Sequence, residues 1–183
     1  MRQIILASKS QTRAKILKEF GIPFEQVGVD FDEDSLDIDN PKDFVYHATK
    51  GKFESYMSLN GEKLPVLCAD TVVTAHGEIL RKAKDREDAY NILQKQSGGS
   101  VGIITCMMYK ADSLYLCDIS STEYIFDIFD EKKLEEYLKS DEWKDKAGAC
   151  MVEGFCKQFI KDVRGLQSTA MGLSVEKLIP FLV

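Results

Sequence analysis

The sequence has no uninterrupted apolar run of the ~18 residues that a membrane span needs. Its opening, Met1-Arg2-Gln3-Ile4-Ile5-Leu6-Ala7-Ser8, holds too short an apolar stretch for an export signal. The expectation is a cytoplasmic chain with no membrane partner. There is no excess of positive charge either: 24 Lys and Arg face 30 Asp and Glu, for a net charge of −6. Lacking a basic face and an aromatic ladder, the chain does not fit a nucleic-acid binder, which needs clustered cations. A few local cations still suffice for a small phosphorylated ligand. No C-x-x-C pair occurs among Cys68, Cys106, Cys117, Cys150 and Cys156, and their number is odd. That argues against zinc and against a disulfide framework, and predicts five small, buried thiols. The two histidines, His47 and His76, are isolated from any serine or cysteine partner, so no catalytic triad is expected. No repeat, low-complexity stretch or linker is visible, which predicts one domain over residues 1–183, with any two lobes enclosing a cleft within it.

What is present is ordinary globular material: 183 residues, 44% apolar and 30% charged. A chain of this length buries roughly 70% of its unfolded surface. The pattern predicts a strand over Ile4–Ala7, a helix over Gln11–Phe20 closed by Gly21, and a strand over Phe24–Val29. An acidic loop follows over Asp30–Asp39, then a helix from Pro41 to about Leu59. A β-rich run over Pro65–Ala75 leads into a hairpin turn at His76-Gly77. Asp85 caps a helix to Gln96, Val101–Tyr109 and Leu114–Phe129 read as long strands, and Asp130 caps a helix to Lys139. A loop to about Gly154, a strand over Phe155–Val163 and a closing helix over Ser174–Leu182 complete the chain. Alternating helices and strands followed by strands alone predict an α/β protein with a mixed sheet flanked by helices.

Three polar residues fall where this pattern asks for apolar ones. In the first helix Ile16, Leu17 and Phe20 share a face, and Arg13 sits in its middle. Its guanidinium, the free N–H groups of the first turn and the hydroxyls of Ser8 and Ser10 together suit a phosphate. The alternatives are a structural carboxylate partner or a side chain that reaches out to water. In the helix from Pro41, Lys52 lies within the apolar arc of Phe44, Val45, Ala48, Tyr56 and Leu59, whereas Lys50 lies opposite. A lysine on that arc needs a counter-charge or a ligand. Asp70 is the one charge between Pro65 and Ala75, a position suited to a general base or a Mg²⁺ ligand. Glu33 in the acidic loop can complete a metal site with Asp70. Glu153, bracketed by Gly148 and Gly154, suggests backbone passing close to a ligand. Lys82 and Lys146 are either phosphate-neutralising or ordinary surface lysines. Trp143 can stack on a base, with packing the simpler role.

These residues, in this order, resemble the Maf family of nucleoside triphosphate pyrophosphatases. Leu6-Ala7-Ser8-Lys9-Ser10-Gln11-Thr12-Arg13 is similar to its L-A-S-x-S-P-R-R signature, and Ala69-Asp70-Thr71-Val72-Val73 to its A-D-T-V-V. Gly77 to Ala83 resembles G-E-x-L-G-K-P, Gln96 to Gly99 its L-S-G turn, Asp145 to Ala149 its D-K-A-G-A, and Gly172 to Ser174 its G-L-P. The resemblance implies an elongated mixed sheet with a deep cleft, related to inosine triphosphate pyrophosphatases. It implies a Mg²⁺-dependent (or Mn²⁺-dependent) cleavage of a nucleoside triphosphate to monophosphate and pyrophosphate, and a homodimer is compatible with it. Residue by residue, Arg13, Lys52 and Lys82 would hold the triphosphate. Glu33 and Asp70 would position the metal and the attacking water, with Asp70 as general base. Ser8, Ser10, Thr71, Lys146 and Glu153 complete the expected substrate contacts.

The chain departs from the signature at Gln11 and Thr12, which replace proline and an arginine, and at Ala83, which replaces proline. Arg81 stands where a substitute charge is useful. Glu153 in its Glu-Gly-Phe context resembles the branch acting on 7-methyl-GTP, whereas Ala69-Asp70-Thr71 resembles the branch acting on dTTP and UTP. The alternative to an enzyme is a nucleotide-binding regulator of cell division with little turnover, which the lost arginine favours.

Overall fold

The computed structural model describes residues 2–61, 65–150 and 152–182; Leu64, just before the predicted β-rich run, and Met151, in the predicted loop, lie outside them. In chain order the elements are β1 (Ile4–Ala7), α1 (Gln11–Glu19), β2 (Phe24–Val27), α2 (Pro41–Asn60), β3 (Val66–Ala75), β4 (Glu78–Leu80), α3 (Arg86–Gln96), β5 (Ser100–Ala111), β6 (Leu114–Phe126), α4 (Glu131–Ser140), β7 (Ile160–Arg164), α5 (Gln167–Ala170) and α6 (Val175–Leu178). Short 3₁₀ turns lie at Glu33–Ser35, Phe155–Phe159 and Ile179–Phe181. The strands form one mixed sheet in the order β2-β1-β3-β5-β6-β7, with β4 also on β3. No helix among the described residues is long and apolar enough to cross a membrane.

The chain divides into two compact units. The first comprises residues 1–71, 104–121 and 166–183. In it β1 runs parallel to both β2 and β3, with Ile5 opposite Glu25 on one side and Val66 on the other. Its core is Ile4, Leu6, Ile16, Leu17, Leu67, Met107, Tyr109, Leu173 and Leu178, all almost fully buried. Every residue of β1 is buried, as expected of a strand paired on both edges. Ser10 caps α1 by accepting from the Arg13 amide at 3.3 Å. Asn40 caps α2 through the Lys42 and Asp43 amides, with Pro41 just inside the start.

The second unit comprises residues 72–103 and 122–165. Its β3–β4 hairpin turns at His76 and Gly77, which have φ of 53° and 81°. Two left-handed residues in sequence are what a tight antiparallel turn needs. Asp85 and Asp130 cap α3 and α4, as their positions predicted. Phe126, Phe129, Tyr137, Phe155 and Phe159 form a ring cluster, with Tyr137 stacked on Phe155 at 4.4 Å. Trp143 is buried and donates to the Leu138 carbonyl at 3.0 Å, a packing role.

Three sequence expectations are corrected here. Residues 155–159 form a 3₁₀ turn rather than the start of a strand: the Lys157 amide donates to the Gly154 carbonyl at 3.1 Å, an i→i+3 bond that winds the backbone, and Phe155, Cys156 and Phe159 are buried. The closing segment is not one helix: α5 precedes it, and α6 gives way to a 3₁₀ turn at Pro180, which lacks the amide that would continue it. Nor are the five cysteines all buried thiols. Cys68 and Cys106 are buried, Cys117 is exposed, and Cys150 and Cys156 are joined by a disulfide. Their Cα atoms are brought to 6.3 Å by the turns between them, within disulfide reach, though the sequence spacing carries no such motif.

Burial raises the Cys68 thiol to about 11 and the Cys106 thiol to about 12. At pH 8 a thiol reagent is therefore expected to modify the native chain at Cys117 first, with Cys68 and Cys106 reacting only in denaturant. Mass mapping of the labelled peptides checks this.

Candidate active site

Arg13, Lys52, Asp70 and the partners described with them all belong to the first unit. Arg13 is held inside it, 8% exposed, by three neutral acceptors. Its Nε donates to the Gly172 carbonyl at 2.7 Å, Nη1 to Ser8 Oγ at 3.1 Å, and Nη2 to Thr71 Oγ1 at 3.1 Å. Ser8 Oγ also accepts from the Ser10 amide at 3.2 Å. Of the two alternatives to a phosphate ligand, neither is what the structure holds: the guanidinium does not reach out to water, and no described carboxylate pairs with it. A guanidinium carries five N–H groups, so two remain beyond these three bonds. A buried cation met only by dipoles is suited to an anion.

The orientation of this network follows from counting protons. Thr105 Oγ1 donates its single hydrogen to the Thr169 carbonyl at 2.8 Å. The 2.9 Å contact between Thr71 and Thr105 must then use the Thr71 hydrogen, which turns the Thr71 oxygen toward Arg13. The bonds run in one sense, from Arg13 through Thr71 and Thr105 to a main-chain carbonyl. Gly172, at φ +102°, closes the other side: a Cβ there would stand 3.2 Å from Thr71 Oγ1 and 3.4 Å from Arg13 Nε.

The second cluster is Lys52, Asp70 and Glu33. Lys52 Nζ donates to Asp70 Oδ1 at 2.6 Å and is also paired with Glu33 Oε1. Asp70 is 5% exposed, and its Oδ2 is buried without a hydrogen-bond partner. Lys50, by contrast, is 44% exposed in its side chain and pairs with Glu54 at 3.8 Å. Burial works against the Lys52 charge, but the attraction and hydrogen bond of Asp70, then those of Glu33, outweigh it and raise its pKa above the ordinary 10.5. Asp70 and Thr71 are consecutive on β3, so Lys52 and Arg13 each take a partner from the same stretch of that strand.

A raised lysine pKa means that the folded state holds the proton more tightly, so this contribution to stability is complete below pH 10.5 and lost as pH rises through the raised value. Melting temperatures of wild type and Lys52→Met are expected to converge above pH 10.5. A difference that stays constant as the pH climbs further would contradict the pairing.

As a metal site, Glu33 and Asp70 supply hard carboxylate oxygens, and the orphaned Asp70 Oδ2 is an acceptor without a donor, which suits a divalent cation. No group of three or more metal-ligating side chains occurs among the described residues. The remaining oxygens would come from phosphate and water, as is usual for Mg²⁺. Lys82, Lys146 and Glu153 are exposed and belong to the second unit, where Lys82 bridges to Ala147 and the Gly148 amide donates to the Arg81 carbonyl at 3.1 Å.

Residues 3–183 match the family described as Maf-like protein. This chain belongs to the Maf family. It is 56% identical over 177 residues to a protein of a Nitratiruptor species named nucleoside triphosphate pyrophosphatase, covering 96% of each chain. A protein of the same name from Helicobacter pylori (strain Shi470) is 38% identical over 180 residues, covering 98% of this chain and 95% of that one. Among solved structures, the Staphylococcus aureus Ham1 protein shares the fold at a TM-score of 0.53 and 13% identity, covering 98% of this chain and 97% of that one. The Maf signature stretch Leu6–Arg13 thus supplies the end of β1, the cap of α1 and the buried guanidinium, and the Ala-Asp-Thr of β3 supplies one partner to each cluster. Sequence reasoning missed Thr105 and the Gly172 carbonyl.

Proposed function

We propose that this Maf-family chain hydrolyses a nucleoside triphosphate to the monophosphate and pyrophosphate. The observation that carries the proposal is the pair of clusters on consecutive residues of β3: Asp70 on Lys52, and Thr71 on a buried, carboxylate-free Arg13. The names of the relatives from Nitratiruptor and Helicobacter support the same reading. Arg13 binds the phosphate chain through the two N–H groups its network leaves over. The Asp70 carboxylate takes the proton of a water that attacks the α-phosphorus, and the α–β bridging oxygen departs with pyrophosphate. Lys52 fixes that carboxylate through Oδ1, leaving Oδ2 without a protein donor. Glu33 and Asp70 would hold a Mg²⁺ or Mn²⁺ ion, which would supply charge neutralisation on the phosphate oxygens. Ser8 and Ser10 fix Arg13 and the helix entry. Lys82, Lys146 and Glu153 are proposed as further substrate contacts on motif resemblance.

The substrate class is proposed as dTTP and UTP, or a modified purine such as 7-methyl-GTP. A carboxylate at Glu153 suits a base edge presenting donors, while Ala69-Asp70-Thr71 resembles the branch acting on dTTP and UTP. Pyrophosphate release with Mg²⁺ across dTTP, UTP, CTP, GTP, 7-methyl-GTP and ITP tests both points. Turnover of one or two of these is expected. No release from any of them, with nucleotide still bound, would leave the binding regulator in its place.

A further inference from the structure

Glu33 reaches Lys52 from a loop, and the loop is held to α2 at one unusual point. Phe31, two residues before Glu33, lies over Gly51, one residue before Lys52. A Cβ added at Gly51 would fall inside the Phe31 ring, against Cε2, Cζ and Cδ2. Gly51 sits in the middle of α2, where glycine costs about 1 kcal/mol relative to alanine. Its φ is not positive, so the backbone itself has no need of glycine there. The ring does. Other ties of this segment include Ser35 Oγ donating to the Asp32 carbonyl, the Leu36 amide donating to the Glu33 carbonyl at 3.1 Å, and Asp30 pairing with Lys9 at the exposed surface.

We propose that Phe31 seated on Gly51 is a latch that positions Glu33 on Lys52, which makes Gly51 and Phe31 positioning residues for the carboxylate pair. The inference rests on the reading of Lys52, Glu33 and Asp70 as the active site. The glycine removes the one methyl group that would hold the ring off the helix. The ring then delivers the carboxylate two residues on to the ammonium one residue beyond the glycine. Helical stability is given up at Gly51 for the placement of a charged side chain in the loop that precedes the helix.

Amide hydrogen exchange over residues 30–39 tests the latch without reference to turnover. Gly51→Ala inserts a methyl under the ring, and Phe31→Ala removes the ring, so the result does not depend on one variant folding. Each is expected to speed exchange in this segment about tenfold, the consequence of losing a half-buried aromatic contact. In Gly51→Ala the amides of α2 should exchange no faster, because alanine is the better helix former. Pyrophosphate release should fall about tenfold in Gly51→Ala, the scale of a lost supporting group. In a Glu33→Gln background the same substitution should cost nothing further. A merely structural role would lower both backgrounds by the same factor. Unchanged exchange over 30–39 in both variants, or equal losses in both backgrounds, would overturn the latch. If the wild-type chain releases no pyrophosphate from any triphosphate, the proposed function fails, and the exchange result alone decides the latch.

Discussion

Asp70→Asn is expected to lower pyrophosphate release by about a thousandfold, within the range for removal of a positioned general base. The substitution keeps the shape of the side chain, and the amide oxygen can still accept from Lys52 as Asp70 Oδ1 does at 2.6 Å. What changes is the second position. Asp70 Oδ2 is a buried acceptor without a donor, and an amide nitrogen there is a buried donor without an acceptor. It cannot take a proton, and it opposes a cation. The fold should lose about 1–3 kcal/mol, the cost of one unsatisfied buried group, because Glu33 remains as a partner for the Lys52 ammonium. Turnover and a thermal melt on the same preparation separate the two effects. A variant that retains a large share of wild-type activity would show that Asp70 is not the base.

The second large effect is expected from Arg13→Lys. The charge survives, but the planar fork does not. Three donors now reach the Gly172 carbonyl, Ser8 and Thr71 in three fixed directions, and a single ammonium on a flexible stem cannot reproduce them. Turnover at low substrate should fall by about a hundredfold, with the KM for the triphosphate rising, because the two N–H groups left for phosphate are lost with the fork. Stability should fall by about 1–3 kcal/mol as the Gly172 carbonyl loses its donor. Steady-state kinetics across substrate concentration would show the KM component. Wild-type kinetics in Arg13→Lys would mean that the guanidinium serves the fold alone.

The residues behind both predictions were legible because each breaks a pattern. Arg13 interrupts an apolar helix face, Lys52 does the same on α2, and Asp70 is the one charge in an apolar strand. The structure places all three as buried or nearly so. The caps at Asp85 and Asp130 and the turn at His76-Gly77 were legible for a similar reason, since local chemistry alone decides them. Thr105 was not, because threonine is commonplace in strands and its importance lies in where one hydrogen goes. The Gly172 carbonyl has no side chain to read. Neither Phe31 nor Gly51 breaks a pattern in the sequence; their contact in space gives each a role. The 3₁₀ turn at Phe155–Phe159 is not legible in the sequence, because its Phe155 and Phe159 rings pack on Phe129, a residue distant along the chain.

The most direct test is to run the reaction in oxygen-18 water and find the label by mass spectrometry. Attack at the α-phosphorus, with Asp70 taking the proton, places the label in the nucleoside monophosphate and none in pyrophosphate. Label in pyrophosphate, or release of inorganic phosphate as the first product, would place the attack elsewhere on the triphosphate chain and contradict the roles given to Arg13, Lys52 and Asp70.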